Sequence, residues 1–456
     1  MEERGRNRMK LNLPEQLTAL AQKAPFPVYV VGGAVRDALA GLPATNDVDI
    51  CAPADAEAFS ALAKSCGLGV NGIYRNTGTV NLSAGDAKIE FTSFRSDMYR
   101  GDGHAPARVT FTSDMHTDAS RRDFCCNAVY YDIQTGGICD PLGGIADIRE
   151  KRLRTTRDAR QVFAEDGLRL LRLARLAAQL GFTPDAACLA GARESARQID
   201  TITAERIFAE LQLILHADQK YGVRYAQYEG LKLLDATSVL ERVLPELTAG
   251  RGLPQRADFH AYDVLEHSLR ACRYADPRVR FSALLHDIGK PAAYRETGKY
   301  HGHDAIGEPI GRAVLQRLKA PLRLTETVCR MIALHMFDLD GKVREAKVRA
   351  FIVKNFDVYE LLLLVKQADY AGCKDDTNLC PTIAKWEAIR EAMVREGVPF
   401  TLKELAVKGD DLKDLLPARR IGETLQALLL RCAQGALQNR RDALLREAAR
   451  LAAEKP

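Results

Sequence analysis

Two aspartates separated by one residue are the first candidate catalytic groups in this chain of 456 residues. Asp47 and Asp49 flank Val48 in a segment with strand composition, and the alternation of a strand places both carboxylates on one face. Two neighbouring carboxylates repel each other unless a cation lies between them. Magnesium is the expected cation, because it binds one or two carboxylates together with the phosphates of a substrate.

The residues before these aspartates predict a phosphate-binding turn. An apolar run over 28–31 has strand composition and ends at Gly32 and Gly33, and a helix is predicted over 34–39. Paired glycines let a ligand approach the backbone closely, and the free amides at a helix start attract phosphate oxygens, next to the charge of Arg36. Each motif alone is common in loops, whereas the two in this order are much more specific.

Further charged residues extend this candidate site. Glu90 alternates with apolar neighbours in a predicted strand, so it is a candidate third carboxylate beside the aspartate strand. Arg121, Arg122 and Asp123 precede an apolar, strand-like run. They form either a surface ion pair of little energetic value or, in a phosphoryl-transfer site, a clamp for triphosphate and leaving pyrophosphate.

A stripe of arginines is predicted in the helical pattern that begins at Arg160. The charged positions are Glu165, Asp166, Arg169, Arg172 and Arg175. Their steps of one and three place the arginines opposite leucines on a helix, and composition alone favours a plain amphipathic helix with internal ion pairs. Between Arg149 and Arg175 there are nine Lys/Arg against four Asp/Glu.

Histidines and aspartates in the second half of the chain predict a separate metal site. The candidate residues are His260, His267, His286, Asp287, His301, His303, His335 and Asp369. Imidazole together with carboxylate suits a transition metal better than magnesium, and ligands distant in sequence converge when each lies on a different helix of a bundle. A lone histidine is usually a core or surface residue, but the histidine–aspartate pair within HDIGKP is more specific.

Short strands followed by helices must position these groups. Two or three strands are predicted between Gly67 and Arg100, with turns at Asn71-Gly72, at 76–78 and at Gly85-Asp86. The segment 95–109 is rich in glycine, charge and proline, which predicts a mobile loop. From Arg160 onward the pattern is helical, and this includes the stretch 231–247; residues 250–256 have linker composition, and the tail is basic and helical.

Length and composition restrict the class of protein. The chain is too long for one core, so two to four domains are expected. No apolar run approaches the roughly 20 residues that span a bilayer, which predicts a cytoplasmic protein without a membrane segment. The eleven cysteines lack zinc-finger spacing and are expected to be reduced core residues. A net charge of +5 is modest for a nucleic-acid binder, so the position of the charge matters more.

The ordered motifs resemble those of the class II tRNA nucleotidyltransferases, the CCA-adding enzymes and their poly(A) polymerase relatives. GGAVRD and DVDI resemble the signature motif, RRDFCCNA resembles RRDFTxNA, DPLGGIADIREKRLR resembles the turn that closes the catalytic head, and EDGLRLLR resembles the nucleotide-selection motif. Cys125 and Cys126 replace the usual residues, and we expect no loss of activity because both positions are small and buried. The segment 95–109 resembles the flexible loop of enzymes that add A.

This resemblance implies a role for each candidate residue. The implied phosphate-binding and nucleotide-binding residues are Gly32, Gly33, Arg36, Arg121, Arg122, Asp123, Glu165, Asp166, Arg169, Arg172 and Arg175. Among them, Asp166 and Arg169 would read the base edge. Cytosine and adenine carry an exocyclic amine beside a ring nitrogen acceptor, so a carboxylate and a guanidinium accept CTP and ATP and reject UTP and GTP. AERIFAELQLIL resembles the fifth motif, and its Glu205, Arg206 and Glu210 would brace the selection helix.

The histidine and aspartate constellation resembles the HD phosphohydrolase superfamily. The implied metal ligands are His267, His286, Asp287 and Asp369, for a transition metal such as Ni²⁺, Mn²⁺ or Co²⁺. His303 and His335 would supply a second metal or a phosphate contact. The tail resembles the C-terminal segment of bacterial nucleotidyltransferases that carry an HD domain.

These observations predict an α+β protein of four parts. They are a nucleotidyltransferase head of the DNA polymerase beta superfamily type with a mixed sheet (10–155), a helical neck and body for nucleotide selection and RNA binding (156–250), a helical HD domain (256–375) and a helical tail (376–456). The expected reaction is template-independent addition of CMP and AMP from CTP and ATP to the 3′ end of tRNA, with an accessory metal-dependent phosphohydrolase. The alternatives are an A-adding enzyme, a poly(A) polymerase, or an HD phosphohydrolase with an RNA-binding head, which the intact aspartate pair disfavours. No obligate protein partner is expected.

Overall fold

The computed structural model describes residues 11–99 and 107–454, which divide into two compact units between Pro245 and Glu246. The first unit holds all the strands of the described residues, and the second unit is helical there. None of the helices in these ranges combines the length and apolar character of a membrane span. The finer division into four domains stays a prediction.

A mixed seven-stranded sheet forms the base of the first unit. Its strands are β1 (Tyr29–Val31), β2 (Asp47–Ala52), β3 (Gly69–Tyr74), β4 (Thr79–Ala84), β5 (Ala87–Ser93), β8 (Tyr130–Asp132) and β9 (Ile138–Cys139). They lie in the order β3-β4-β5-β2-β1-β8-β9, and only β2 and β5 run parallel. Two small sheets are made by β6 (Arg95–Met98) with β7 (Arg108–Phe111) and by β10 (Arg152–Leu153) with β11 (Thr183–Pro184).

Helices surround this sheet and continue beyond it. They are α1 (Glu15–Lys23), α2 (Gly33–Leu39), α3 (Ala56–Ser65), α4 (Met115–Ser120), α5 (Gly144–Arg149), α6 (Ala159–Glu165), α7 (Leu168–Leu180), α8 (Ala186–Glu194), α9 (Ala204–Leu215), α10 (Ala217–Tyr221), α11 (Ala226–Ala236), α12 (Val239–Val243) and α13 (Pro245–Thr248). The helical stretch predicted over 231–247 is confirmed, and parts of three short helices make it up. Helix α7 packs against α9 and α11.

The predicted alternation of the aspartate strand is confirmed. Val48 and Ile50 of β2 are buried, whereas Asp47 and Asp49 face the opposite side. In β5 the buried Phe91 stacks on Phe59 of α3, with ring centroids 3.6 Å apart. This apolar layer between sheet and helix fixes the strands whose other face carries the carboxylates.

Several local predictions in the first unit are wrong. Asn71 and Gly72 lie inside β3 at a β-bulge rather than in a turn, and the stretch from Gly67 holds four strands. Both ends of the predicted loop over 95–109 pair as β6 and β7, because their backbones form one antiparallel ladder, while residues 100–106 lie outside the described residues. The strand-like run after Asp123 begins with a 3₁₀ turn over Cys125–Asn127.

The continuous helix predicted from Arg160 onward is also interrupted. Asp166 is extended, with φ −146° and ψ 106°, and separates α6 from α7. At Gly167 a Cβ would lie 2.2 Å from the carbonyl oxygen of Gln198, so the chain passes its neighbour too closely for a side chain. This approach breaks the helix and frees the Asp166 carboxylate from the helix surface.

The second unit is a helical assembly. Its helices are α14 (Val264–Tyr274), α15 (Arg280–Leu285), α16 (Lys290–Thr297), α17 (His303–Arg317), α18 (Leu322–Leu334), α19 (Glu345–Lys354), α20 (Tyr359–Lys374), α21 (Pro381–Arg395), α22 (Ala418–Ala433) and α23 (Arg441–Glu454). A core around the fully buried Trp386 joins α19 and α20 to the helices of the tail. All eleven cysteines are free, and eight are buried, as expected for reduced core residues.

Candidate active sites

Three carboxylates line up on the exposed face of the central strands. Asp49 of β2 lies directly opposite Glu90 of β5 in the parallel register, and Asp47 lies two residues before it. Gly32 has φ +79°, and a Cβ there would lie 3.0 Å from Oδ2 of Asp49. The predicted glycine turn therefore lies against the aspartate strand, where a larger residue would be strained and crowded.

The electrostatics of this face favour a bound cation. Burial and the neighbouring Asp47 raise the pKa of Asp49, against the arginines Arg122 and Arg172. Burial and Asp49 likewise raise the pKa of Glu90. Carboxylates that raise one another's pKa form an oxygen donor set suited to a hard divalent cation such as Mg²⁺.

A cavity of about 360 Å³ opens beside Asp49 in the first unit. The predicted residues that line it are Gly32, Gly33, Arg36, Asp49, Arg121, Arg122, Asp123, Asp166, Arg169, Arg172 and Arg175. Asp47, Glu90 and Glu165 do not line it. Residues that the sequence analysis missed also line it, namely Arg95, Asp97, Tyr99, Asn127, Leu176, Gln179 and Lys220. Positive side chains dominate the wall, as a triphosphate requires.

Arg36 is a buried cation that lines this cavity beside the glycine turn. Its guanidinium donates to Asp37 Oδ1 at 2.6 and 2.9 Å and to Asn127 Oδ1 at 2.7 Å. Tyr221 donates to the other oxygen of Asp37 at 2.5 Å, and burial followed by that hydrogen bond raises the pKa of Tyr221 to about 12. These contacts fix Arg36 beside the glycine turn.

Arg121 and Arg122 are held by one buried carboxylate. Asp118 of α4 accepts a hydrogen bond from Arg121 at 2.8 Å, from Arg122 at 3.1 Å and from Tyr130 at 2.8 Å. Burial opposes ionisation of Asp118, but the two arginines keep its pKa below the usual value. The spacing of Asp118 from these arginines, three and four residues, is a signal that the sequence analysis overlooked.

Asp123 holds Arg172 rather than facing the cavity freely. Oδ2 of Asp123 accepts two hydrogen bonds from Arg172, at 2.6 and 2.8 Å, and Oδ1 accepts from Phe124 N and from Asn127 Nδ2 at 3.1 Å. Burial would raise the pKa of Asp123, but Arg172 and Asn127 hold it well below the usual value. Asn127 thus connects Arg36 with Asp123 and so with Arg172.

The predicted selection pair lies at the break between α6 and α7. Oδ1 of Asp166 accepts from the backbone amide of Leu168 at 3.0 Å. Arg169 donates to Val162 O and Glu165 Oε2, both at 3.0 Å, and to the carbonyl of Arg121 at 2.8 Å. Glu165 therefore lies behind Arg169 and holds it, which differs from the direct nucleotide contact expected of Glu165.

The fifth-motif helix α9 contacts the selection helix as expected for a brace. Glu210 lies 3.0 Å from Arg175, and Arg206 lies 3.9 Å from Asp166 Oδ2. Burial raises the pKa of Glu210 and lowers that of Arg175. A largely buried pair of this kind fixes α7 against α9.

The second unit gathers the predicted HD residues into one buried cluster. Nε2 of His267 lies 3.1 Å from Nε2 of His286 and 3.1 Å from Oδ1 of Asp369. Oδ2 of Asp287 lies 3.4 Å from His267 and 3.2 Å from His286. Four ligand atoms, from α14, α20 and the turn that follows α15, thus converge on one point, as the sequence analysis predicted.

A second ligand group shares Asp287. Its other oxygen, Oδ1, lies 3.1 Å from Nε2 of His303 and 3.6 Å from Nε2 of His335. His301 is exposed and does not join the cluster. The histidine–aspartate–histidine set fits a second metal ion, because imidazole and carboxylate are the donors that first-row transition metals accept.

The pKa shifts of the residues in this cluster are those expected of metal ligands. Burial opposes the charge on His286, but Asp287 and Asp369 raise its pKa to about 9. Burial likewise opposes ionisation of Asp287, whose pKa the histidines and Lys290 hold well below the usual value. Lys290 lies 2.6 Å from Oδ2 of Asp287. A cation could therefore replace protons that the histidines otherwise share with two ionised carboxylates.

Three family models match the chain in succession. The poly A polymerase head domain matches residues 28–154, the probable RNA and SrmB-binding site of polymerase A matches 181–250, and the HD domain matches 258–362. The first range contains β1, β2 and β5 with their carboxylates, and the third contains His267 to His335. The matches follow the same order as the two clusters described above.

Curated relatives cover nearly the whole chain. A multifunctional CCA protein of Xanthomonas campestris pv. campestris is 30% identical over 438 residues, which is 89% of this chain and 99% of the relative. One from Tolumonas auensis is 33% identical over 76% of this chain and 84% of the relative. An A-adding tRNA nucleotidyltransferase of Deinococcus radiodurans is 28% identical over 89% and 91%.

Solved structures share the fold. A Bacillus stearothermophilus CCA-adding enzyme in complex with CTP superposes with a TM-score of 0.67 at 23% identity, covering 99% of both chains. A Thermotoga maritima CCA-adding enzyme complexed with tRNA gives 0.61 at 16% identity, covering 97% of both. The predicted α+β fold, with its head and its helical HD part, is thereby confirmed. Because the multifunctional CCA proteins are at least 30% identical over most of its length, the chain belongs to the CCA-adding tRNA nucleotidyltransferase family, and it carries an HD domain.

Proposed function

We propose that this enzyme adds CMP and AMP, from CTP and ATP, to the 3′ end of tRNA. Asp49, the phosphate-binding arginines and the Asp166–Arg169 pair all line one cavity, and this observation carries the proposal. A nucleoside triphosphate needs those three features at once: a carboxylate site for its metal, cations for its phosphates and polar groups for its base. The family relationship supports the same reaction.

Asp47 and Asp49 would hold magnesium, with Glu90 beside them on β5. When bound there, magnesium would supply Lewis-acid activation of the terminal ribose hydroxyl and would neutralise charge on the triphosphate. Arg36, Arg172 and their neighbours place the α-phosphate in line with that hydroxyl and compensate the charge on the departing pyrophosphate. Their guanidinium groups are already fixed by ion pairs, so they need little reorganisation when the nucleotide binds.

Base selection would rest on atoms that the protein leaves available. Arg169 uses three of the five N–H donors of a guanidinium on Val162, Glu165 and Arg121, which leaves two. Asp166 uses Oδ1 on a backbone amide and keeps Oδ2, with Arg206 at 3.9 Å. Two N–H donors beside one carboxylate oxygen complement a ring acceptor and an exocyclic amine, the edge that cytosine and adenine share.

The HD cluster would supply a separate phosphohydrolase. His267, His286, Asp287 and Asp369 would hold a transition metal such as Ni²⁺, Mn²⁺ or Co²⁺, and His303 and His335 a second one through Asp287. Phosphomonoesters and 2′,3′-cyclic phosphates are the proposed substrates. The cyclic ester is suited to an enzyme that repairs tRNA ends, because it must be opened before a free 3′-hydroxyl can accept CMP.

A second candidate function is A-only addition, because a relative named as an A-adding tRNA nucleotidyltransferase covers the chain almost as fully. A poly(A) polymerase would use the same motifs. The tRNA would be bound by shape and phosphates along the helical part of the chain, as duplex RNA generally is. A cytoplasmic location is proposed because tRNA and both nucleotides are found there.

One experiment decides among these polymerases. Purified enzyme is offered tRNA ending before CCA, after C and after CC, with each of the four nucleotides separately, and the products are resolved on sequencing gels. A CCA-adding enzyme extends the first two with CTP and the third with ATP. Extension of only the third substrate would identify an A-adding enzyme, and long A tails on all three would identify a poly(A) polymerase.

A further inference from the structure

Three side chains beside the HD cluster form a third group of potential metal ligands. His260, His267 and Cys373 each present one ligand atom, and these atoms lie within 4.8 Å of one another. The rings of His260 and His267 meet edge to face, with centroids 4.8 Å apart. Two imidazoles and a thiol are donors that Zn²⁺ and Co²⁺ bind well.

Packing at the end of α20 brings this group together. Gly372 lies so close to α14 that a Cβ would be 2.7 Å from the backbone nitrogen of Ala271. The next residue, Cys373, accepts a hydrogen bond through its carbonyl from Ala261 N at 2.9 Å, and Lys374 Nζ donates to Asp258 O at 2.6 Å. The segment that carries His260 is therefore attached to the last turn of α20, beside α14.

The ring nitrogens of this group differ from those of the other cluster histidines. Nδ1 of His286, His303 and His335 each lies 2.7 Å from the backbone carbonyl three residues earlier, which leaves Nε2 for a metal. By contrast, Nδ1 of His260 is buried without a hydrogen-bond partner among the described residues, and the side chain of His267 hydrogen-bonds to that of Cys373, another member of the group. Buried polar atoms are rarely left unpaired, and a ligand is one explanation for those that are.

We propose that His260, His267 and Cys373 bind a transition metal ion of the Zn²⁺ or Co²⁺ type, in a site that shares only His267 with the HD cluster. The ion would take a nitrogen from each histidine and the sulfur of Cys373, whose thiol proton is released to solvent on binding. His267 would contribute Nδ1 here while its Nε2 faces His286 and Asp369. With both sites filled, His267 would also release its ring proton to solvent and would bind one ion through each ring nitrogen.

The test uses Co²⁺ as a spectroscopic probe of the full-length protein. A thiolate bound to Co²⁺ produces an intense charge-transfer band in the near ultraviolet, which nitrogen and oxygen ligands do not produce. We expect this band when reduced wild-type protein is titrated with Co²⁺. Cys373→Ser should abolish the band and bind one Co²⁺ fewer per chain, and His260→Ala should weaken the affinity at least tenfold.

Controls separate this site from the rest of the protein. Cys380→Ser changes a buried cysteine of the same unit that joins none of the ligand groups, and it should keep the band. His286→Ala should also keep it, so failure of the HD proposal would not affect the result. Nucleotide addition by Cys373→Ser at the wild-type rate shows that the head is folded, and circular dichroism tests the second unit. No band in wild-type protein, or a band that persists in Cys373→Ser, would overturn the proposal.

Discussion

Asn127 offers the sharpest test of the geometry in the head. Its side chain accepts from Arg36 at 2.7 Å and donates to Asp123 at 3.1 Å, and Asp123 in turn holds Arg172. Replacing Asn127 by Ala removes both hydrogen bonds at once. One face of the cavity then loses the link between the glycine turn and α7.

The cost follows from the charges involved. A hydrogen bond to a charged group contributes about 1.5–3 kcal/mol, so two of them amount to about 3–6 kcal/mol. Arg36 keeps Asp37, and Asp123 keeps Arg172 and a backbone amide, which limits the penalty. We therefore expect Asn127→Ala to lower the free energy of unfolding by about 3 kcal/mol, near the lower end of that range.

Urea denaturation followed by far-ultraviolet circular dichroism measures this effect. Hydrogen exchange on peptides from β1 and α2 should show faster exchange in the same variant. Asn71→Ala is the matched control, since Asn71 is exposed on β3, and it should change stability by less than about 0.5 kcal/mol. The variant should also raise KM for CTP and ATP, because Arg36 and Arg172 lose their common support.

Unfolding of Asn127→Ala at the wild-type urea concentration, together with a wild-type KM, would refute this role of Asn127. In that case water or another side chain replaces Asn127 without cost. A stability loss with unchanged KM would retain the packing argument but reject the link to nucleotide binding. A loss equal to that of Asn71→Ala would reject both.

Four further predictions concern the chemistry. Asp49→Ala should abolish nucleotide addition while raising the Tm of the metal-free protein, because carboxylate repulsion is relieved; retained incorporation would contradict the metal assignment. Asp166→Ala should raise incorporation of UTP and GTP relative to CTP and ATP in single-nucleotide assays, whereas equal slowing of all four would exclude base reading. Asp287→Ala should remove metal-dependent hydrolysis of 2′,3′-cyclic phosphate and spare nucleotide addition, and Asp49→Ala should do the reverse; loss of both activities in folded Asp49→Ala would indicate one shared site. Because the pKa of Asp123 is depressed in the folded state, its stabilisation is present above about pH 4, the unfolded value, and is lost as pH falls through the folded value. Asp123→Asn should therefore flatten the acid side of a plot of urea midpoint against pH, and an unchanged slope would contradict this.

Regular alternation made the carboxylate strand predictable from the sequence. The apolar Val48 and Ile50 can face only the core, so Asp47 and Asp49 must share the other face, and the same rule placed Glu90. The HD residues were predictable for a different reason, since few structural roles require histidine beside aspartate. At both sites the residue types and the local sequence pattern indicated the same residues.

Contacts between distant segments could not be predicted in this way. The break at Asp166 depends on Gly167 meeting the carbonyl of Gln198, thirty-one residues later in the chain. Lys220 reaches the cavity only because α10 packs against α7. Asn127 looked like part of an apolar run, and its partners become visible only when α2 and the 3₁₀ turn are placed side by side. Such positions depend on tertiary packing, which no local pattern encodes.

The ion pairs of the cavity arginines have a thermodynamic consequence for substrate binding. The seven of them are Arg36, Arg95, Arg121, Arg122, Arg169, Arg172 and Arg175, and each already contacts a carboxylate. Immobilising a long side chain costs about 0.5–1.5 kcal/mol, so seven arginines represent about 3.5–10.5 kcal/mol of conformational entropy. That entropy is lost when the chain folds and not when the nucleotide binds. A triphosphate therefore meets a rigid receptor, and its affinity depends on how well its own shape and charge fit the positions that the carboxylates have set.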